Sequence, residues 1–248
     1  MMKELIGLAS RCDPAFTGRI QGASPEEIAR LEQLSERKLP DVYRELLSHM
    51  GRDMGGIGIA AVEFEINNLL RFLEEEGSAY DWPSRFLMIA EHKQDPYYHY
   101  FLDLDTLNDD GDCRVVSFDS TLEAHELDER HVHEQAPSLK ALFLKLAFLC
   151  KCLGRFHHQE IAILTYPRLE KKSDNPLGAL ADFEQAALHL GFQKLPYSTP
   201  TALMLDRHDA AIYAKGGAIG RVAATLTGKD EHEILRIREI LSDRAARN

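Results

Sequence analysis

The sequence has little of what would tie it to a specialised environment. Only four of its 248 residues are cysteine (Cys12, Cys113, Cys150 and Cys152). They are too few and too unevenly spaced for a disulfide framework, so a reducing cytosol is the expected setting. No apolar run approaches the ~20 residues that a membrane helix needs. The opening Met1-Met2-Lys3-Glu4-Leu5-Ile6 places an acid where a secretory leader carries only bases, and its apolar patch is too short for a leader core. A cytoplasmic chain with no membrane partner is the expectation. Internal repeats and low-complexity stretches are missing too. With 44% hydrophobic and 28% charged residues, the composition is that of a globular protein, long enough for one large domain or two modest ones.

Basic excess is also lacking. The net charge is −11, and it is unevenly spread: residues 1–155 hold 17 basic and 28 acidic residues, whereas residues 156–248 hold 12 of each. An acidic surface repels phosphate backbones, so direct nucleic-acid binding by the first part is not expected. The same surface speeds encounter with a basic protein.

What is present reads as two α+β layers. Ser24-Pro25-Glu26-Glu27 is a capping box with proline at the first helical position, and Ile28, Leu31 and Leu34 follow on one face. Leu39-Pro40-Asp41 turns the chain into a second helix bearing Val42, Tyr43, Leu46, Leu47 and Met50, which Gly51 ends. Residues 62–66 alternate as a strand, and Asn67-Asn68 opens a helix that closes at Glu74-Glu75-Glu76 against its own dipole. Phe86–Ala90, Tyr98–Leu104 and Cys113–Phe118 read as an antiparallel meander. Leu139, Leu142, Phe143, Leu146 and Cys150 mark a helix that would cover it. Beyond a boundary at Lys151–Gln159, strands are expected at Ile161–Leu164, Thr201–Leu205, Ala210–Lys215 and Ile219–Leu226. Helices are expected from Asn175-Pro176 to Gly191 and from Asp230 onward. The expected domains are therefore 1–152 and a smaller α+β domain over 160–248, whose neutral charge and mixed α+β pattern allow homodimerisation, toxin specificity or an independent role.

The order of pieces in residues 21–152 resembles the SUKH superfamily, which includes bacterial toxin-immunity proteins and fungal regulators of cell-wall synthesis. The resemblance rests on Ser24-Pro25-Glu26-Glu27-Ile28 with Leu31-Glu32, then Leu39-Pro40 with Tyr43-Arg44-Glu45-Leu46-Leu47 and Gly51. It continues through Trp82-Pro83 before Phe86–Ala90, Leu102-Asp103-Leu104, and Ser138–Phe143. It implies helices packed on an antiparallel sheet and a non-enzymatic module that binds a cognate toxin of nuclease or deaminase type. The acidic tip after Leu104 and residues 156–248 depart from the single-domain members.

Candidate partner-binding residues come from the residue patterns themselves. Glu74, Glu75 and Glu76 form one acidic corner. Asp103, Asp105, Asp109, Asp110 and Asp112 form an acidic hairpin tip whose spacing fails the calcium-loop frame, with Thr106 and Ser117 where acids are required. Trp82, Tyr97 and His99 are aromatic anchors beside these acids. Alternation places Tyr98, Tyr100 and Leu102 toward the core, with His99 and Phe101 on the opposite face.

No catalytic residue, metal or cofactor is assigned. Cys150 and Cys152 with His157-His158 have ligand types but diverge on a helix, and His131 and His133 lack a third ligand. Lys215–Arg221 lacks the phosphate-loop spacing and reads as a hairpin turn. Two rival readings remain open: a metal-dependent hydrolase using histidines and acids of residues 92–133, and an intracellular scaffold or regulator with no toxin partner.

Overall fold

The computed structural model describes residues 1–95, 98–166, 177–217 and 220–247. It separates into two compact units, Met1–Ala147 and Phe148–Asn248, and each combines helices with an antiparallel sheet in the α+β class expected.

In the first unit the capping box forms as read. Ser24 Oγ accepts from the Glu27 N–H, and the Glu27 carboxylate accepts from the Ser24 N–H at 2.7 Å, which starts α2 (Pro25–Ser35). Pro40 leads into α3 (Asp41–Met50). Before both comes α1 (Met2–Cys12), which was not expected although Met2, Leu5, Leu8, Ala9 and Cys12 bury one helical face. Short strands β1 (Ile20–Gln21) and β2 (Asp53–Met54) pair across the end of α3. There Gly22 lies so close to the Ser48 carbonyl that an added Cβ would run into backbone. Gly22→Ala should therefore cost about 1–3 kcal/mol by forcing α3 outward. A urea-denaturation midpoint unchanged by the substitution would disprove this close approach.

The expected strand at 62–66 shrinks to β3 (Val62–Glu63) because Ile66 already begins α4 (Ile66–Glu75), whose Ile66, Leu69 and Phe72 are buried at helical spacing. The Ile66 N–H donates to the Gly51 carbonyl at 2.7 Å and fixes that early start. Strands β4 (Phe86–His92), β5 (Tyr100–Asp103), β6 (Val115–Ser117) and β7 (His133–Ala136) follow, and the sheet order is β3-β4-β5-β6-β7. Helix α5 (Leu139–Ala147) closes the unit and packs with α1 and α3, while α2 packs on α4.

The expected facing of β5 is corrected. Phe101, Leu102 and His99 are all buried, and Tyr98 is 41% exposed. The strand is covered on both faces, so alternation along it separates two packed environments rather than core from solvent. Tyr100 meets Phe64, which meets Phe143 of α5; Phe101 stacks on Phe118 at 4.3 Å and meets Trp82 at 4.9 Å.

In the second unit, residues Phe148–Leu153 form a π-helical segment. Its wider turn shifts the apolar face, so that Cys152 is buried and Cys150 half-buried, the reverse of the expected emphasis on Cys150. A five-stranded antiparallel sheet has the order β8-β12-β11-β10-β9. Its strands are β8 (His158–Thr165), β9 (Gln193–Lys194), β10 (Ala202–Arg207), β11 (Ala210–Gly216) and β12 (Arg221–Gly228). Helices α6 (Gly178–His189) and α7 (Glu231–Arg247) cover one face. Phe183, Ile234 and Leu241 pack there against Ala162, Leu164, Leu205, Ile212 and Leu226. Gly191, at φ +84°, stops the chain after α6 as expected. The expected helix start at Asn175-Pro176 lies outside the described residues, as do Ala218 and Ile219 in the β11–β12 hairpin. That hairpin is closed by the Gly217 N–H donating to the Arg221 carbonyl at 2.8 Å.

Candidate functional site

The first unit carries a groove of about 350 Å³ where three elements end together. The last turn of α2 and the residues after it supply Leu34, Ser35, Glu36 and Arg37; α4 and its exit supply Leu73 and Gly77; the opposite wall is Tyr80, Trp82 and the start of β4, Phe86–Met88. Glu36 adopts a left-handed conformation (φ 53°) that turns the chain out of α2. The aromatic wall is built in layers. Tyr80 stacks on Trp82 at 4.7 Å and on Phe72 at 5.7 Å, and Trp82 meets Phe101 edge-on behind. The Trp82 indole N–H donates to the Ser120 carbonyl at 3.2 Å, which holds the ring half-buried with one surface on the groove. An indole fixed this way offers contact area without losing rotamer freedom on binding. Tyr80 escaped the sequence reading; its alternation with Trp82 just ahead of an apolar strand was the available signal.

The acidic residues sort by burial. Glu74, Glu75 and Glu76 are exposed at the end of α4, just before Gly77 in the groove. Glu74 pairs with Arg30 at 3.0 Å and Glu75 with Arg71 at 3.7 Å, so part of their charge is already compensated. Asp105, Asp109 and Asp110 are exposed in the β5–β6 turn and make no ion pair among the described residues. This turn meets the groove's end of the sheet: the Leu104 N–H donates to the carbonyl of Arg85, next to Phe86. Gly111 (φ +72°) packs so that a Cβ would lie 3.2 Å from that of Asp41, and only Lys38, Leu39 and Pro40 separate Asp41 from the groove's Arg37.

Three of the expected contact residues are corrected, because their side chains point inward and are used there. Asp103 is 1% exposed. Its carboxylate accepts from Arg114 Nε at 2.8 Å and pairs with Arg85 at 3.5 Å. That carboxylate is the first cause holding the Arg114 guanidinium charged beyond its ordinary range. Glu129 closes the cluster by pairing with both arginines. Asp112 is buried too, and accepts from the N–H groups of Cys113, Leu139 and Lys140 at 2.9, 2.9 and 3.2 Å. It caps the start of α5, where backbone donors have no partner of their own. Sequence spacing could not reveal that role, since the cap comes from a different element.

His99 is 1% exposed and sits among Phe72, Tyr80 and Trp82. Its Nδ1 accepts the His92 N–H at 3.2 Å, so the proton of the neutral ring is on Nε2, which is buried without a hydrogen-bond partner. Burial, reinforced by His92, pushes its pKa down to about 4. It supports the aromatic wall from behind and offers no surface to a partner. Tyr97, the remaining expected anchor, lies outside the described residues.

The histidines considered for metal binding do not gather. His131 lies near Asp128 at 3.3 Å, and His133 is exposed on β7 opposite Ser117. Among the described residues no three side chains of His, Cys, Asp or Glu converge on a point where an ion could sit. The buried Cys113 thiol is pushed up to about 12, chiefly by desolvation, which keeps it protonated and a poor nucleophile. No helix among the described residues is long and apolar enough to cross a membrane.

No curated protein is significantly similar to the chain. The family model of the SMI1 / KNR4 family (SUKH-1) matches residues 22–145, from the turn before α2 into α5, half of the chain. This stretch contains the groove, the acidic turn and the whole β3–β7 sheet, and by it the chain belongs to the SMI1/KNR4 (SUKH-1) family, whose members are generally non-catalytic immunity or regulatory proteins.

Proposed function

We propose that the chain is a cytoplasmic immunity protein whose first domain, residues 1–152, binds and neutralises a basic cognate toxin of nuclease or deaminase type. Family membership supports a protein-binding role of immunity or regulator type; the choice of a basic partner rests on charge. The segregation of charge becomes sharper when taken by structural unit. Met1–Ala147 holds 15 basic and 28 acidic residues, a net of −13, and Phe148–Asn248 holds 14 and 12. The exposed carboxylates of Asp105, Asp109 and Asp110, which make no ion pair among the described residues, lie in the β5–β6 turn that Leu104 ties to Arg85, next to Phe86 of the groove, and Glu74–Glu76 end α4 just before the groove's Gly77. Such a surface suits the cationic substrate groove of an enzyme that acts on nucleic acid. Tyr80 and Trp82 supply the desolvated centre, and the acids supply steering.

The test is association kinetics against the toxin with which the chain permits co-expressed growth. Replacing Asp105, Asp109 and Asp110 together with asparagine should lower the association rate about 10-fold at low salt, with much less effect at high salt, because exposed charges act through long-range steering that ions screen. Chain stability should stay within about 0.5 kcal/mol of the parent. An association rate insensitive to both ionic strength and these substitutions would refute electrostatic capture. Failure of any toxin to be tolerated on co-expression would favour the regulator reading.

A further inference from the structure

The sheet of the second unit ends in a strand on whose inner face α7 packs, but whose outer edge carries no further strand among the described residues. Strand β8 pairs with β12 along one side and, among the described residues, with no strand along the other. Edge strands of monomers are commonly blunted by brevity, a bulge, a proline or a lysine. β8 has none of these. It runs for eight residues, His158–Thr165, in unbroken register with β12, and contains neither lysine nor proline. Its one formal charge, Glu160, is paired with Arg238 at 2.8 Å. Ala162 and Leu164 point into the helix-covered core, whereas Ile161 and Ile163, on the opposite face, are 68% and 72% exposed.

We propose that β8 pairs antiparallel with β8 of a second copy of this chain, about a two-fold axis at Ala162, to join two five-stranded sheets into one of ten. Directly opposed residues in an antiparallel pair share a face. With the axis at Ala162, Ile161 of each copy opposes Ile163 of the other, and Gln159 opposes Thr165. Four isoleucines then form an apolar centre closed at each end by a Gln–Thr pair. The register also keeps Ala162 and Leu164 of both copies on the helix side. One strand supplies both halves of the contact, so the assembly closes at two copies.

Charge favours a second copy over a toxin at this edge. The unit holds 14 basic and 12 acidic residues and the strand's only charge is neutralised, so two such edges meet without repulsion. A basic partner, in contrast, finds no free acid there. The inference does not depend on the toxin reading.

Sedimentation equilibrium of the full chain at micromolar concentration should give twice the chain mass of 28.0 kDa. Ile161→Lys and Ile163→Lys should each raise the dimer dissociation constant roughly 30-fold or more, with unchanged circular dichroism because both side chains are exposed. As a measurement independent of those variants, the doubly substituted I161C/I163C chain should form a covalent dimer on mild oxidation, since position 161 of one copy faces position 163 of the other. A monomeric parent chain overturns the proposal, as does a dimer that survives both lysine substitutions and yields no cross-link. A monomer whose toxin binding is lost on Ile163→Lys would assign the edge to the toxin instead, and equally overturn it.

Discussion

Replacing Asp103 with alanine is expected to destabilise the first unit by about 3 kcal/mol, near the lower end for breaking a buried ion pair. Its carboxylate is almost wholly buried between Arg114 and Arg85, whose own side chains keep 26% and 28% exposure. Removing it leaves two adjacent guanidiniums without their central counter-charge. Water at their exposed sides and the surface carboxylate of Glu129 compensate only in part, hence the lower end. For a unit of this size the loss corresponds to roughly 10 °C in Tm. Asp103→Asn keeps the shape and one acceptor and should cost less, about 1–2 kcal/mol. The contrast with Asp105→Asn is decisive for the site. The exposed neighbour should change association kinetics without touching Tm, whereas Asp103 should do the reverse. If Asp103→Ala melts with the parent, the arginine cluster carries no stability and this account of it fails.

The second large effect is a pH dependence traced to His99. Its folded pKa, about 4, lies below the ordinary value of 6.5. The unfolded chain therefore binds the proton first as pH falls, and folding stability declines between roughly pH 6.5 and pH 4. A depression of this size corresponds to about 3 kcal/mol, fully present above pH 6.5. Carboxylates titrate in the same range, so the informative quantity is a difference. Urea-unfolding free energies at pH 7.5 and pH 4.5 should diverge by about 2–3 kcal/mol more for the parent than for His99→Gln, which retains an acceptor for the His92 N–H but cannot titrate. Equal pH slopes in the two chains would show that the ring is not held neutral. Protonation of His99 would also place a charge behind Trp82 and Tyr80, so tryptophan fluorescence should shift over the same range.

Much of the local structure was legible because it is written in short-range chemistry. Ser24 and Glu27 form their box, Pro40 makes the corner, and the continuous apolar run at Phe86–Ala90 is a buried strand. The misreadings share a different cause. Alternation in β5 suggests a division of core from solvent, yet the strand has a packed layer on each side, so His99 and Phe101 are as deep as Leu102. Asp103 and Asp112 read as surface acids because most carboxylates are exposed. Their partners, Arg85, Arg114 and the first N–H groups of α5, come from other elements, and no spacing rule brings these together. The groove was half visible. Trp82 stands out as an aromatic residue near the acidic stretches, whereas the groove's other wall comes from the exit of α2, which only the packing of α2 on α4 brings alongside.

The fastening of the β5–β6 turn bears on how tightly its surface can be gripped. Asn108 Oδ1 accepts from the N–H groups of Asp110 and Asp112, the Gly111 carbonyl accepts from the Val42 N–H, and Asp112 clamps the first turn of α5. Asp109 and Asp110 therefore ride on a frame riveted to two helices, already in one shape before anything arrives. A partner that docks on them freezes little additional motion, so its residence time should reflect the contacts made and not the entropy of taming a loop.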